Sequence, residues 1–141
     1  MQGPNGQALH HIGFVVDSIE KRIENFRADL GATGISAIFE DPIQISRVAF
    51  VELPAPGGVQ MELVEPATPN SPVARFLEKG GGLHHICYEV DDLAAQIKIM
   101  KTQRAVLIRS PKPAVAFGGR QIAWMRTRDA LLIEYLERQP A

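Results

Sequence analysis

Residues 9–19 read LHHIGFVVDSI, and residues 83–93 read LHHICYEVDDL, 74 positions later. The same offset relates VAFV at 48–51 to IAWM at 122–125. MELVE at 61–65 returns as IEYLE at 133–137 with an offset of 72. The chain therefore contains an internal duplication, with modules at 9–65 and 83–137 joined by a linker at 66–82. Because each module is small for a hydrophobic core of its own, we predict one domain over residues 1–141.

Each module is predicted to have a βαβββ order. In the first, alternation over residues 11–16 predicts a strand with His11 on one face and Ile12 on the other. A helix follows to about residue 30, with Asp17 and Glu20 as a capping box and Gly31 as its end. Its apolar stripe consists of Ile19, Ile23, Phe26 and Leu30. Further strands are predicted near 35–40, 47–53 and 58–64.

The second module repeats this plan. A strand at 84–90 leads to a helix that begins at Asp92, and strands are predicted near 105–109, 121–126 and 131–137. Pro111, Pro113, Gly118 and Gly119 predict a loop before the third strand. In the linker, Ser71-Pro72 predicts the start of a short helix. These elements indicate an α+β fold made of two tandem βαβββ modules.

Composition excludes several function classes. The chain has 15 Lys and Arg against 16 Asp and Glu, a net charge of −1, so nucleic acid and anionic membranes are not expected partners. No apolar stretch reaches the length of a membrane-spanning helix, and the first eight residues do not form a signal sequence. With one cysteine an internal disulfide is impossible, so we expect a cytoplasmic protein.

Four residues occupy matching places in the two modules: His11 and Glu62 in the first, and His85 and Glu134 in the second. Approximate two-fold symmetry would bring them toward one axis. Two imidazoles and two carboxylates suit Co, Zn, Ni, Mn or Fe without selecting among these metals. A glutamate inside an apolar run is costly to bury unless it is compensated, and a cation can compensate it. The rival interpretation has the histidines satisfying core hydrogen bonds and the glutamates in solvent, where Glu65 and Glu137 are also expected.

At these residues the chain resembles the vicinal oxygen chelate superfamily, which includes glyoxalases, dioxygenases and bleomycin resistance proteins. It is most similar to the methylmalonyl-CoA epimerases. The resemblance is carried by LHHIG at 9–13, RVAFVEL at 47–53, MELVEP at 61–66, SPVARFL at 71–77 and GLHHICYEVDD at 82–92.

The resemblance implies a glyoxalase-like fold, in which a curved mixed sheet surrounds a central metal site. It implies His11, Glu62, His85 and Glu134 as ligands of one divalent metal ion, and an isomerase that abstracts an α-proton from methylmalonyl-CoA or a similar acyl-CoA thioester. Glu134 is the expected catalytic carboxylate, with Glu62 as the other candidate. Some epimerases carry a further catalytic glutamate, but the position aligned with it here is Val48, which leaves the second base open.

Other expectations concern substrate and partners. Lys112 and Arg120 are the preferred contacts for coenzyme A phosphates, because their loop could lie over the site. A homodimer is expected, since members of the epimerase family usually pair. Two alternatives remain: a glyoxalase I-like lyase or isomerase acting on a thiol adduct, and a metal-free protein that binds a small molecule such as an antibiotic.

Overall fold

A βαβββ order of elements occurs twice in the computed structural model, which describes residues 2–139. The strands of these residues are β1 (Ala8–Val15), β2 (Phe39–Asp41), β3 (Ser46–Glu52), β4 (Gln60–Pro66), β5 (Gly82–Val90), β6 (Val106–Pro113), β7 (Gln121–Arg126) and β8 (Leu132–Glu137). The α-helices are α1 (Ile19–Leu30), α2 (Ala74–Glu78) and α3 (Leu93–Thr102). The predicted α+β class and the duplicated βαβββ order are confirmed.

The chain divides into two compact units. The first unit contains residues 11–84, and the second contains residues 85–139 together with residues 2–10. The first residues of the chain therefore belong with the second module.

In the first unit the strand order is β2-β3-β4-β1. β1 runs parallel to β4, whereas β2, β3 and β4 pair antiparallel in sequence order. One face of this sheet packs on α1 through Ile12 and Phe14, and the predicted stripe of α1 joins the same core. His11 therefore lies on the opposite face, as alternation along β1 predicts.

The second unit repeats this arrangement with the order β5-β8-β7-β6. β5 and β8 are parallel, and β7 pairs antiparallel with both β8 and β6. Its core includes Leu93, Ile97 and Met100 of α3, packed on Tyr135 and other residues of the sheet. The three helix positions have helical spacing and therefore lie on one face of α3.

The start of α1 differs from the prediction. The N-cap is Ser18, whose side chain accepts a hydrogen bond from the Lys21 N–H, whereas Asp17 pairs with Arg22. The predicted capping box of Asp17 and Glu20 is therefore wrong by one residue. At the other end Gly31 adopts a left-handed conformation, as predicted. The predicted start of α3 at Asp92 is confirmed: Asp92 is the N-cap, and its side chain accepts a hydrogen bond from the Ala95 N–H.

Three other boundaries differ from the sequence-based ones. β6 continues through Pro111 to Pro113, where a loop was predicted, because an edge strand tolerates residues that lack an N–H donor. β2 is only three residues long, although Ile35 forms an isolated bridge to Val51. The linker helix α2 begins at Ala74 rather than at Ser71, whose hydroxyl accepts a hydrogen bond from Val73.

The N-terminal segment is anchored inside the second unit. The Asn5 amide donates to the backbone oxygen of Asp92 at 2.8 Å and to the side chain of Gln96 at 3.2 Å. The Asp92 N–H donates back to Asn5 Oδ1 at 3.2 Å. Arg138 donates to the Gly6 carbonyl at 2.9 Å and pairs with Asp91. These contacts fasten the segment at the start of α3.

Within residues 2–139, none of the helices combines the length and the apolar character that crossing a membrane requires.

Candidate metal-binding residues

The first unit buries a histidine beside a glutamate on the sheet face opposite α1. His11 Nε2 lies 3.4 Å from Glu62 Oε1, and their side chains are 0% and 7% exposed. Parallel pairing of β1 with β4 places Gly13 opposite Glu62, so the glutamate lies two residues farther along the sheet than His11. The buried location excludes the interpretation in which Glu62 points into solvent.

The second unit contains the equivalent pair. His85 Nε2 lies 3.6 Å from Glu134 Oε1, and these side chains are 2% and 5% exposed. The register is also equivalent, because Cys87 is opposite Glu134 on the parallel strands β5 and β8. Glu134 is therefore buried as well, and each unit holds one possible His–Glu metal-binding pair.

An aromatic ring accompanies each histidine. In the first unit Phe50 of β3 meets His11 edge-on, with ring centroids 5.7 Å apart. In the second unit Trp124 of β7 meets His85 at 4.7 Å with an interplanar angle of 79°. Phe50 and Trp124 are related by the same 74-residue offset as the histidines. Each imidazole is thus packed in a defined orientation by an equivalent neighbour.

The two pairs fit a divalent transition metal. Imidazole nitrogen and carboxylate oxygen bind such ions at about 2.0–2.2 Å, so two neighbouring ligands of a tetrahedral site are about 3.4 Å apart. The distances of 3.4 and 3.6 Å between the donor atoms are close to this spacing. The donor set is compatible with Zn, Co, Ni, Mn and Fe alike.

The comparison with protein families agrees with the resemblance seen in the sequence. The family model described as the glyoxalase/bleomycin resistance protein/dioxygenase superfamily matches residues 10–124. The chain belongs to this superfamily. The recognition drawn from the sequence motifs, that of the vicinal oxygen chelate proteins, is confirmed.

Individual members of the glyoxalase superfamily are also similar. An ethylmalonyl-CoA/methylmalonyl-CoA epimerase of Cereibacter sphaeroides is 33% identical over 123 residues, which cover 86% of this chain and 89% of that protein. The human mitochondrial methylmalonyl-CoA epimerase is 34% identical over 125 residues, covering 86% of this chain and 67% of that protein. The crystal structure of methylmalonyl-CoA epimerase from Mycobacterium tuberculosis aligns with a TM-score of 0.80 at 26% identity, covering 94% and 88% of the two chains. These relatives support the prediction that this superfamily member is an isomerase enzyme.

Two glutamates that were expected in solvent are instead hydrogen-bonded to helices. The Ile19 N–H donates to Glu65 Oε1 at 2.8 Å, and the Leu93 N–H donates to Glu137 Oε2 at 2.9 Å. Arg47 also pairs with Glu65 at 3.1 Å. The expectation is wrong because both residues lie near the end of a strand, beside a helix N-terminus. Their positions in the repeat, at an offset of 72, were the signal that could have indicated this role.

Arg47 is held by several carboxylates. It donates two hydrogen bonds of 3.0 Å to Glu20, in addition to its contact with Glu65, and lies 3.4 Å from Glu40. The hydrogen bonds that Arg47 donates to Glu20 and, next in size, to Glu65 raise the pKa of Arg47 above its ordinary value. These contacts therefore hold the Arg47 guanidinium on the α1 side of the sheet in the first unit.

The remaining predicted residues lie apart from the histidine–glutamate pairs. Lys112 is exposed on the edge strand β6. Arg120 follows the short 3-10 turn Val115–Phe117, donates to the Glu137 carbonyl at 2.9 Å and pairs with Glu89 at 2.6 Å. Its guanidinium is thus engaged with protein atoms. Val48 is buried in β3, two residues before Phe50.

Proposed function

We propose that this protein is a divalent-metal-dependent epimerase that inverts the α-carbon of methylmalonyl-CoA or a similar acyl-CoA thioester. One observation carries the proposal: a buried His–Glu pair is repeated in both units of a chain that is 33% identical to an ethylmalonyl-CoA/methylmalonyl-CoA epimerase. The relative is covered over 89% of its length, so the similarity is not confined to a shared fragment.

We further propose that His11, Glu62, His85 and Glu134 bind one cation together. The internal repeat supports this, because it gives each unit the same half of a four-ligand set at the same strand positions. When bound, the cation supplies positive charge that stabilises negative charge developing on the oxygens of the substrate. The edge-on rings of Phe50 and Trp124 keep the two imidazoles oriented for this role.

The proton transfers are assigned to the glutamates. A carboxylate base removes the α-proton, and a second group returns a proton to the opposite face of the carbon. Glu134 is proposed as the principal base and Glu62 as the second group. Val48 cannot transfer a proton, so the additional carboxylate that some epimerases carry has no counterpart at that position. Both proposed bases are buried, which excludes most bulk water from the proton that they carry.

Coenzyme A phosphates require cations on the protein. Lys112 is the first candidate because it is exposed on β6. Arg120 remains a proposed contact. A phosphate there would compete with Glu89, which already accepts a hydrogen bond of 2.6 Å from the Arg120 guanidinium. We therefore expect Lys112 to contribute more to substrate affinity than Arg120.

The proposal also includes a cytoplasmic homodimer. The single cysteine, Cys87, is buried, and β6 has an edge that is open to pairing within the described residues of the second unit. Sedimentation at micromolar concentration would measure the mass in solution, and a mass of one chain would contradict the dimer.

The function is tested by proton exchange at the α-carbon. Metal-depleted protein reconstituted with Co²⁺, Zn²⁺, Ni²⁺ or Mn²⁺ is mixed with methylmalonyl-CoA or ethylmalonyl-CoA in deuterated water, and deuterium incorporation is followed by NMR. Exchange is expected with metal and not after chelation. Exchange absent with every metal contradicts the proposal, and turnover of a methylglyoxal–glutathione hemithioacetal instead would favour the glyoxalase-type alternative.

The roles of the two glutamates are separated in the same assay. Glu134→Gln is expected to reduce exchange by about 10²–10⁴-fold, the usual contribution of a positioned base. Glu62→Gln should block exchange from one stereoisomer more than from the other, because each base serves one face. Glu52→Gln, on an exposed position of β3, is the matched control. Equal wild-type exchange in both site variants would remove the glutamates from the mechanism.

A further inference from the structure

We propose that Glu65 and Glu137 are positioning residues that fix the geometry of the His–Glu pair in their own units. The proposal rests on the metal-binding role given above for those pairs. Neither residue is assigned as a ligand or a base. Each acts by tying the end of the strand that carries the ligand glutamate to the helix that follows the strand carrying the ligand histidine.

In the first unit the tie is made by Glu65, three residues after Glu62. Its Oε1 accepts a hydrogen bond from the Ile19 N–H at 2.8 Å, between residues 46 positions apart. Ile19 is the first residue of α1, the helix that follows β1 and therefore His11. With its side chain 16% exposed, Glu65 makes this bond in a mostly buried setting.

In the second unit Glu137 makes the same tie, three residues after Glu134. Its Oε2 accepts a hydrogen bond from the Leu93 N–H at 2.9 Å, between residues 44 positions apart. Leu93 is the first residue of α3, which follows β5 and therefore His85. The repeat has thus preserved a long-range contact as well as the ligand residues.

These bonds are distinct from ordinary helix capping. Both helices already have a local cap, because Ser18 accepts from Lys21 and Asp92 accepts from Ala95. The glutamates satisfy the N–H of the first helical residue, which the local caps do not reach. A carboxylate at a helix N-terminus also interacts favourably with the helix dipole.

These hydrogen bonds matter because the two strands that carry the histidine and the glutamate of each pair are parallel. β1 and β4 are not joined by a tight turn that would set their register, and the same is true of β5 and β8. A slip of one residue between such strands turns Glu62 or Glu134 to the helix side of its sheet. Glu65 and Glu137 oppose this movement from a point about 10 Å along the strand from the ligand.

The first unit contains a built-in control. Arg47 pairs with Glu65, but it also donates two hydrogen bonds to Glu20. If Glu65 acts through the Ile19 N–H, replacing Arg47 leaves the tie in place. If Glu65 mattered only as a partner of Arg47, the two replacements would have the same effect.

The experiment measures Co²⁺ binding by the full chain. Trp124 is the only tryptophan, and its ring centroid lies 4.7 Å from that of His85, so the fluorescence of Trp124 reports the metal titration. The visible absorption of bound Co²⁺ reports the geometry of its ligands. Glu65→Ala and Glu137→Ala are each expected to raise the Kd for Co²⁺ about tenfold or more and to alter the Co²⁺ spectrum. Glu65→Gln and Glu137→Gln keep an oxygen acceptor and should stay within about threefold of wild type. Arg47→Gln and the surface variant Glu24→Ala should bind as wild type does.

A purely structural role predicts something different: a lower urea midpoint with unchanged Co²⁺ affinity and spectrum. That result overturns the proposal, as does an equal loss in the Ala and Gln variants, or wild-type protein that binds no Co²⁺. If the Ala variants fail to fold, Glu65→Asp and Glu137→Asp decide the question. They keep the charge but shorten its reach, so weaker Co²⁺ binding is expected and wild-type binding overturns the proposal. Lack of α-proton exchange by metal-loaded wild type would refute the epimerase function alone.

Discussion

Oε1 of Glu62 lies 3.4 Å from Nε2 of His11, and both side chains are almost completely buried. The two residues are on parallel neighbouring strands, displaced by two positions in the register. His85 and Glu134 repeat this relationship at 3.6 Å in the other unit. A buried imidazole and a buried carboxylate at this spacing suit the metal-binding role proposed above, and the repeat gives each unit the same pair.

Removing one histidine should therefore weaken metal binding strongly. We expect His11→Ala to lower Co²⁺ affinity at least about 100-fold, because one of the four proposed donor atoms is lost. Equilibrium dialysis against Co²⁺ measures the effect. His84→Ala, which loses an edge-on contact with Phe76, is the neighbouring control and should bind Co²⁺ as wild type does. Unchanged Co²⁺ affinity in His11→Ala would show that the metal binds elsewhere.

Lys112 should affect substrate affinity rather than the chemical step. Lys112→Ala is expected to raise KM for methylmalonyl-CoA about three- to tenfold with kcat nearly unchanged, since an exposed phosphate contact contributes a modest free energy. Methylmalonyl-pantetheine lacks the nucleotide phosphates, so its KM should not change. Lys101→Ala, at the exposed end of α3, is the matched control. Equal effects of Lys112→Ala on both substrates would contradict a phosphate contact.

Gly6 is expected to be intolerant of a side chain. Its φ is +64°, and a Cβ there would collide with the Asp91 carboxylate and with Arg138 Nη1. We expect Gly6→Ala to reduce the free energy of unfolding by about 1–3 kcal/mol, through backbone strain and disruption of this ion pair. Urea denaturation measures it. Gly3→Ala is the control, because a Cβ at Gly3 meets only ordinary contacts of 3.6 Å or more. Equal stability of the two variants would refute the anchoring role of the segment.

Asp17 should make stability depend on pH in the acid range. The hydrogen bond from Arg22 is the largest cause that lowers the pKa of Asp17 from 3.8 to about 2. A lowered native pKa stabilises the fold above the unfolded-state pKa, and this stabilisation disappears as the pH falls through the native value. The urea midpoint of wild type should therefore exceed that of Asp17→Asn by a small constant amount above about pH 5.

The difference between wild type and Asp17→Asn should shrink between about pH 4 and pH 2, where the Asp17 carboxylate becomes protonated. The pair is half exposed, so a small effect is expected. In an Arg22→Gln background the same substitution should show no such pH dependence. A midpoint difference that persists at pH 2, or that is unchanged without Arg22, would contradict the assignment.

The sequence predicted the parts of the structure that depend on local pattern. The repeat LHHI indicated equivalent strands, alternation put His11 on the sheet face away from α1, and Glu62 was selected by its matching place in the repeat. Motif similarity also identified the superfamily correctly. The cap of α1 was missed by one residue because Asp17 and Ser18 are both good caps. In the structure the Asp17 carboxylate pairs with the Arg22 side chain, and the Ser18 hydroxyl caps the helix.

Long-range contacts could not be predicted in the same way. The contact of Glu65 with Ile19 depends on where β4 ends relative to α1, which no local pattern encodes. Pro111 and Pro113 indicated a loop because proline is excluded from inner strands, but whether β6 is an edge strand is decided only by the sheet. The anchoring of Asn5 at α3 was missed for a similar reason: the partners are 87 and 91 residues apart.

The packing of residues 2–10 with residues 85–139 constrains how the chain can be divided. Cutting at Gly80-Gly81-Gly82, the obvious place between the repeats, would leave the carboxyl-terminal fragment without the Asn5 and Gly6 contacts that fasten the start of its helix. A fragment that keeps this unit intact must instead join residue 139 to residue 2 through a new linker. Complementation from separately expressed pieces therefore calls for a circularly permuted design.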